Sequence, residues 1–306
     1  MDSRSAGHDI TNSLGIVARM IVYLNGQWLP GDQARINPED RGFMFSDGIY
    51  EVVRYYFGRP LAMDLHVERM NFGLRELRIQ LPPNVDLERI GDELMRRNGL
   101  QEAAVYWQIT RGVAPRVFTF PPAGTPPTVF ATAYPAVELT PTQPVPVLRA
   151  ITCPDIRWRR CEIKAISLLP NVLAAQDAHE AGADCAILVR DGTVTEGTSR
   201  SILIVENGSL VTYPTDGTIL DSITRRITIE LAHKAGVEFR EECFEVQRMY
   251  RAEEVIAVGS TTEIAAVTPV DGRQIGDGSA GPIAKRLFEM YRDYVYEHCR
   301  GIAATI

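Results

Sequence analysis

Trp158 to Ile204 reads WRRCEIKAISLLPNVLAAQDAHEAGADCAILVRDGTVTEGTSRSILI, and this stretch decides the fold. Pro170 begins a segment of helical character, and a β-hairpin with an Asp-Gly turn follows it. A cation, Lys164, stands before the helix, and a carboxylate, Glu196, stands in the second strand of the hairpin. A helix that leads into paired strands predicts an α/β unit, and this unit carries both charged groups.

Lys164 is conspicuous because the chain has only three lysines against twenty-nine arginines. Its neighbours Ile163, Ala165 and Ile166 are apolar and would desolvate an ammonium group, which favours the neutral amine. A neutral amine can attack an aldehyde carbon. Lysines beside apolar residues more commonly extend along the surface to water, and a glutamate in a hairpin is more commonly solvated, so residue type alone leaves both roles open.

The composition excludes several classes of function. The chain has 306 residues, of which 45% are hydrophobic and 23% charged, and its formal net charge is −7. This acidic balance argues against nucleic-acid and anionic-membrane partners and favours small-molecule ligands. Five scattered cysteines form no C-x-x-C pair, and no signal segment or membrane-length apolar run is present. These features predict a cytoplasmic protein without a cysteine-based metal site.

Proline and glycine positions indicate the domain organisation. Residues 1–19 are polar and weakly patterned, which predicts a flexible extension. Residues 20–135 alternate strand-like and helical segments and are interpreted as a small α/β domain. A proline-rich stretch at 136–146 interrupts all regular patterns and predicts a linker. Residues 147–306 are then a larger second domain that binds a cofactor.

Seven motifs carry a resemblance to a known family. In chain order they are RGFMFSDGIYEVVR (41–54), HVERM (66–70), TRGVAPR (110–116), CEIKAISLLPNVLAAQDAHEAG (161–182), VTEGTSRS (194–201), ILDSITR (219–225) and STTEIAAVTPV (260–270). The chain resembles the fold type IV pyridoxal phosphate aminotransferases, and among them the D-amino acid transaminases. The resemblance implies a mixed α/β (α+β) fold in which the larger domain has a barrel-like β core.

The resemblance also implies the roles of individual residues. Lys164 is expected to hold the aldehyde of pyridoxal 5'-phosphate and to move protons, and Glu196 is expected to partner the pyridine nitrogen. Tyr50 and Val52, on one face of a strand, are expected on the substrate side. The positions that match the family's phosphate site are Arg69, Ile223, Thr224, Ser260, Thr261 and Thr262.

One motif departs from the family pattern. In D-amino acid transaminases an Arg-x-His pair, lent by the other subunit, binds the substrate carboxylate. This chain keeps Arg116 but has Phe118 in place of the histidine. An arginine alone can still clamp a carboxylate through two hydrogen bonds, whereas the phenylalanine removes a donor and adds apolar surface. The resemblance therefore implies a homodimer with shared active sites and leaves the substrate open.

The function expected from these motifs is transfer of an amino group from a D-amino acid, such as D-alanine or D-glutamate, to a 2-oxo acid. Two alternatives share the cofactor: an (R)-selective amine transaminase, which Phe118 favours, and a branched-chain L-amino acid transaminase or aminodeoxychorismate lyase. A third alternative is a non-catalytic binding protein on the same fold. No metal site is expected.

Overall fold

The computed structural model describes residues 20–140 and 142–300, so the expected extension at 1–19 lies outside the described residues. The described part contains seven α-helices: α1 (Arg41–Phe45), α2 (Met63–Glu76), α3 (Leu87–Asn98), α4 (Leu169–Glu180), α5 (Ile223–Lys234), α6 (Val246–Met249) and α7 (Pro282–Val295), with a 3-10 turn at Gly31–Gln33 and a π-helical turn at Tyr296–Arg300. Its strands are β1 (Ile21–Leu24), β2 (Gln27–Pro30), β3 (Gly48–Tyr56), β4 (Arg59–Pro60), β5 (Ala103–Thr110), β6 (Thr128–Pro135), β7 (Val147–Pro154), β8 (Cys185–Arg190), β9 (Thr193–Gly197), β10 (Ser201–Glu206), β11 (Ser209–Thr212), β12 (Phe239–Glu241), β13 (Phe244–Glu245), β14 (Glu254–Gly259) and β15 (Glu263–Val270).

The first sheet is antiparallel, with strand order β2-β1-β6-β5-β3-β4. Its core face packs against α2 and α3, where Tyr55, Trp107 and Leu94 are fully buried. Side chains alternate between the two faces of a strand, so Tyr50 and Val52 of β3 project from the opposite face. The sequence predicted that Tyr50 and Val52 share one face of this strand. That face of β3 does not pack against α2 or α3 and is available to form a site.

The second sheet has nine strands in the order β12-β11-β10-β14-β15-β7-β8-β9-β13 and includes both parallel and antiparallel pairs. Strands β9 and β10 are five positions apart in this order, which in a flat sheet is a distance of roughly 24 Å. Residues 198–200 alone join them, and the chain from Gly197 to Ser201 can span at most about 15 Å. The sheet must therefore curl, as expected for a barrel-like core.

Helices cover the outside of the curled sheet. Helices α5 and α7 pack on it through buried side chains that include Ile227, Leu231 and Leu287. Helix α4 packs on β7 and β8 through Ala174 and Ala178. A separate apolar cluster includes side chains of β8, β10, β11 and β14. The fold class is the mixed α/β class expected from the motifs.

Residues 136–146 join the last strand of the first sheet to the first strand of the second, and the described residues of this stretch form no helix or strand. Buried arginines hold it from both sides. Arg54 donates to the carbonyl of Val137 at 2.7 Å, and Arg292 donates to the carbonyl of Thr140 at 2.6 Å. The division into domains 20–135 and 147–306 at this stretch stays a proposal.

Several short or irregular elements were not predicted from the sequence. Helix α1 has only five residues, too few to show a helical period; the Asp40 side chain caps it by accepting from the amide of Gly42 at 2.8 Å. Strand β7 was not predicted because its exposed and buried positions do not alternate. Among residues 20–140 and 142–300, no helix has both the length and the apolar character needed to cross a bilayer.

Candidate active site

A cavity with a volume of about 210 Å³, called the main cavity below, lies where the two sheets meet. Its walls come from β3, from residues 157–171, from the end of β9 and the loop after it, and from the turns at 220–222 and 259–261. Seven of the predicted site residues line it: Tyr50, Val52, Arg69, Lys164, Glu196, Ser260 and Thr261. The fold therefore brings together motifs that are up to 211 residues apart in the sequence.

Backbone hydrogen bonds place Lys164 beside Tyr50. The amide of Tyr50 donates to the carbonyl of Lys164 at 2.9 Å, and the amide of Ile166 donates to the carbonyl of Gly48 at 3.1 Å. This pairing fixes the lysine against the start of β3. The Lys164 ammonium lies 4.3 Å from the centre of the Tyr50 ring, within the range of a cation–π contact. The amine is thus held at the cavity wall by the rigid first sheet.

The Tyr50 ring also packs against a second aromatic ring. It stacks on Tyr106 of β5, with ring centroids 5.8 Å apart, and the Tyr106 hydroxyl donates to Gln108 at 2.7 Å. Burial raises the pKa of Tyr106, so this hydroxyl stays protonated and acts as a hydrogen-bond donor. The aromatic pair holds Tyr50 in one orientation towards Lys164.

Glu196 is buried at the end of β9 and pairs with Arg157, whose guanidinium contacts its carboxylate. The amide of Leu220 also faces both oxygens at 3.3 Å. Burial raises the pKa of Glu196, and the charge of Arg157 opposes that rise. The carboxylate is therefore fixed in place, with a cation on one side and the cavity on the other.

Arg157 was not singled out from the sequence, yet it organises this side of the site. Besides contacting Glu196, Arg157 donates to both carboxylate oxygens of Asp155, from its Nε group at 2.9 Å and from one terminal N–H group at 2.8 Å. Asp155 also accepts from the Thr195 hydroxyl at 2.9 Å and lies 3.1 Å from Arg190. Its carboxylate is fully buried, and although burial acts to raise the pKa of Asp155, its hydrogen bonds with Arg157 hold it below the ordinary value.

We expect the substitution Arg157→Met to destabilise the protein by about 3 kcal/mol, because it leaves two buried carboxylates without their shared cation. Urea denaturation of the purified protein measures this. The matched control is Arg251→Met, since Arg251 is exposed and its loss should change stability by less than about 0.5 kcal/mol. Equal urea concentrations at the midpoint of unfolding for the two variants would show that the Arg157 network does not stabilise the fold.

Arg69 lies on α2, and its guanidinium forms two hydrogen bonds with the fully buried Glu51, at 2.9 Å and 2.6 Å. A third bond goes to the carbonyl of Asp221 at 2.8 Å. Burial acts to raise the pKa of Glu51, but the charge of Arg69 and the neighbouring His66 hold it well below its usual range. Burial lowers the pKa of His66, which is therefore neutral. Two of the five N–H groups of Arg69 remain available to an anion.

Two sets of backbone amides complete an anion cradle. The first turn of α5 begins at Ile223, and the first amides of any helix lack partners within it. The amides of Ser260 and Thr261 make no backbone hydrogen bond within the described residues. Ser222, Ser260 and Arg69 all line the main cavity. These donors fit a phosphate group, while Lys164 fits an aldehyde, so the residues present fit pyridoxal 5'-phosphate.

The remaining predicted phosphate residues lie just behind the cavity wall. Ile223 and Thr224 are buried and line a small neighbouring cavity together with Ser260. Thr262 does not line the main cavity; its hydroxyl accepts a hydrogen bond from Arg200 at 2.7 Å. The side chain of Thr262 is therefore engaged by an arginine, and its contact with the phosphate stays a prediction.

Arg116 and Phe118 do not line the cavity of their own chain. The Arg116 guanidinium lies 5.3 Å from the centre of the Phe45 ring, and the Phe118 ring lies 5.6 Å from it. Phe118 is 85% exposed. Their loop is anchored by Arg41, which donates to the carbonyl of Val117 at 2.7 Å. The expectation that this loop serves another subunit's site stays a prediction.

Comparison with known proteins identifies the family. The family model of amino-transferase class IV matches residues 48–270, which include every residue that lines the main cavity. The chain belongs to the class IV aminotransferases. Curated relatives of this aminotransferase include the D-alanine aminotransferase of Staphylococcus haemolyticus, 37% identical over 90% of this chain and 97% of the relative. The D-alanine aminotransferase of Bacillus licheniformis is also 37% identical, over 88% of this chain and 94% of the relative.

Solved structures confirm the fold of this aminotransferase. A branched-chain amino acid aminotransferase from T.th., solved with pyridoxamine 5'-phosphate, superposes with a TM-score of 0.80 at 26% identity, covering 90% of this chain and 93% of that one. The branched-chain aminotransferase of Thermoproteus uzoniensis with norvaline gives 0.78 at 25% identity, covering 92% and 96%. This chain therefore shares its fold with branched-chain amino acid aminotransferases at 25–26% identity, and it is more similar in sequence to the two D-alanine aminotransferases at 37% identity.

Proposed function

We propose that this protein is a pyridoxal 5'-phosphate-dependent transaminase that moves an amino group from a D-amino acid, such as D-alanine or D-glutamate, to a 2-oxo acid. The observation that carries the proposal is the placement of Lys164 and Glu196 in one cavity with the anion cradle of Arg69, Ser260 and Thr261. The two D-alanine aminotransferases at 37% identity support the choice of donor.

Pyridoxal 5'-phosphate supplies an aldehyde that accepts amino groups and a pyridine ring that withdraws electrons from the substrate α-carbon. Lys164 would hold the aldehyde through its amine and would move the proton at the substrate α-carbon. Glu196 would keep a proton on the ring nitrogen, and Arg157 fixes the Glu196 carboxylate for this role. Arg69 and the amides of Ser260 and Thr261 would bind the phosphate.

The substrate side of the proposed site begins at Tyr50 and Val52, which project from β3 into the cavity. Tyr50 presents an aromatic face to Lys164, which shields the amine from water on that side. One α-carboxylate must then be bound near this wall, and Arg116 is the residue proposed for it. A planar guanidinium binds a carboxylate through two parallel hydrogen bonds, so one arginine suffices as a clamp.

Arg116 does not line the cavity of its own chain, so we propose that it binds the substrate of a second copy in a homodimer with shared active sites. Exposed apolar side chains occur in this loop and in helix α1, which anchors it: Phe118 is 85% exposed and Phe43 is 75% exposed. Apolar surface of this kind commonly marks a protein–protein contact. Sedimentation equilibrium at micromolar concentration tests the dimer, and a purely monomeric holoenzyme would contradict it.

The donor preference is tested by comparing D-alanine, L-leucine and (R)-1-phenylethylamine. All three donors are paired with 2-oxoglutarate as acceptor, and L-leucine and (R)-1-phenylethylamine are also paired with pyruvate. We expect D-alanine to give the highest kcat/KM because its carboxylate matches Arg116, whereas the amine carries no carboxylate. L-Leucine as the best donor would contradict the proposal. (R)-1-Phenylethylamine as the best donor would support the second candidate, an (R)-selective amine transaminase, which the exposed apolar Phe118 favours.

We also propose a cytoplasmic location. All five cysteines of the chain are free thiols in this structure, which fits a reducing compartment. Cell fractionation that places the protein in an extracellular or periplasmic fraction would contradict this.

A further inference from the structure

Arg200 stands in the loop that joins β9 to β10, four residues after Glu196. Its half-buried side chain lines the main cavity. The Arg200 Nε group donates to the Thr262 hydroxyl at 2.7 Å. Because this bond fixes one edge of the guanidinium, the planar group is held in a defined orientation at the cavity wall.

Arg200 differs from Arg69 and Arg157 of the same cavity because its guanidinium is not paired with a carboxylate. Arg69 lies 2.6 Å from the carboxylate of Glu51, and Arg157 lies 2.8 Å from the carboxylate of Asp155. Within residues 20–140 and 142–300, Arg200 forms no salt bridge, and Thr262 is the one acceptor of its side-chain hydrogen bonds; the charge of Arg200 helps to lower the pKa of Asp184, but that carboxylate lies beyond ion-pair distance. Four of its five N–H donors are therefore available. An oriented arginine with free donors at a cavity is a suitable partner for an anion.

The position of Arg200 separates it from the proposed α-carboxylate site. Tyr50 and Val52 belong to the first sheet, whereas Arg200 and its partner Thr262 lie in connections between strands of the second, curled sheet. The substrate α-carbon must stay near Lys164. The α-carboxylate then lies against the wall formed by the first sheet, and the substrate side chain lies against the wall formed by the second sheet. A substrate with two carboxylates needs an anion site at each wall.

We propose that Arg200 binds the side-chain carboxylate of dicarboxylic substrates, namely acidic D-amino acids such as D-glutamate and the matching 2-oxo dicarboxylic acids. This inference rests on the proposed transaminase function and names the substrate class of the same site. Arg200 then determines substrate specificity, because a monocarboxylic substrate such as alanine has no second carboxylate that could bind to it.

The test compares the holoenzyme with its Arg200→Gln variant, which keeps most of the length of the side chain and loses its charge. D-Alanine is the donor, and the acceptors are 2-oxoglutarate and 2-oxobutyrate, which lacks the second carboxylate. We expect kcat/KM to fall about 30-fold for 2-oxoglutarate and less than about threefold for 2-oxobutyrate. The control variant Arg251→Gln removes an exposed arginine and should change neither value more than about twofold.

An equal loss for both acceptors would overturn the proposal, since Arg200 would then act on the cofactor or on a group common to all substrates. An unchanged value for 2-oxoglutarate would overturn it as well. A second measurement does not depend on turnover: calorimetric titration of the holoenzyme with glutarate and with butyrate, neither of which can react. We expect glutarate to bind at least about tenfold more tightly, with the difference lost in Arg200→Gln.

The outcomes separate this inference from the proposed function. If the wild-type enzyme uses D-alanine with 2-oxobutyrate but not with 2-oxoglutarate, the transaminase proposal is supported and the proposed role of Arg200 is contradicted. If no D-amino acid serves as donor, the proposed function is contradicted. The glutarate titration still decides in that case whether Arg200 forms a carboxylate site: equal affinity for glutarate and butyrate would overturn it.

Discussion

Substitution of Lys164 by alanine is expected to lower kcat for transamination by roughly four orders of magnitude or more, because in the proposed mechanism one amine would both hold the cofactor aldehyde and move the α-proton. In the structure no other lysine lines the cavity among the described residues. The visible absorbance that the wild-type protein acquires with pyridoxal 5'-phosphate should be lost or shifted in the variant. Stopped-time assays of 2-oxo acid formation and absorbance spectra measure the two effects.

The matched control for this prediction is Lys285→Ala. Lys285 is exposed on α7, and its removal takes away the same charge without touching the cavity. Both variants should unfold at similar urea concentrations. A Lys164→Ala variant that retains more than a few per cent of wild-type turnover would show that another group performs the chemistry.

Substitution of Glu196 by glutamine is expected to reduce kcat by about 10²–10³-fold, because a neutral amide cannot keep a proton on the ring nitrogen. The change should appear in kcat more than in KM, since it acts on the reaction step and not on the binding of the donor. Steady-state kinetics with D-alanine and 2-oxoglutarate measure it. The variant should still bind the cofactor, because Lys164 and the phosphate cradle are unchanged.

Glu289→Gln serves as the control for this second prediction. Glu289 is exposed on α7, and its substitution should leave kcat within about twofold of the wild type. A Glu196→Gln enzyme with kcat within threefold of the wild type would remove Glu196 from the mechanism. The pair Arg157 and Glu196 would then be only a structural ion pair.

The sequence alone could predict the parts of the site that depend on short motifs. Lys164 was singled out by its apolar neighbours, the roles of Lys164 and Glu196 followed from the motifs that resemble the family, and the structure places both residues at one cavity. The N-terminus of α5 was also predictable, because Ser222 is a suitable capping residue and its hydroxyl does accept from the amide of Arg225. In each case a local pattern of a few residues carries the information.

Other parts of the site depend on contacts between distant segments and could not be predicted. Arg157 pairs with Glu196 across 39 positions, and the pairing follows from the strand order β7-β8-β9. No spacing in the sequence indicates that Arg157, rather than the nearby Arg159 or Arg160, faces inwards. Arg200 was likewise overlooked, because its partner Thr262 is 62 positions away.

The buried partner of Arg69 illustrates a further limit. The sequence indicated a cation for the phosphate, but not that Glu51 would take two of its hydrogen bonds at full burial. Glu51 faces the core side of β3, where alternation predicts an apolar residue. A carboxylate at such a position is stable only because Arg69 and His66 surround it.

Phe118 explains why the substrate is harder to predict than the cofactor. The residues proposed for the cofactor come from motifs within one chain, and five of these eight residues line the main cavity. The α-carboxylate clamp is proposed to come from a second chain, and its histidine is replaced here by an exposed phenylalanine. In the proposed site, Arg116 alone would bind the α-carboxylate, and groups on the opposite wall, such as Arg200, would discriminate between substrate side chains.

The most direct test of the proposed function is the chirality of one product. Holoenzyme is incubated with D-alanine and 2-oxoglutarate, and the glutamate formed is separated on a chiral column. The proposed site predicts D-glutamate and an equal amount of pyruvate, with L-glutamate below a few per cent. L-Glutamate as the main product, or no glutamate at all, would contradict the assignment of a D-amino acid transaminase.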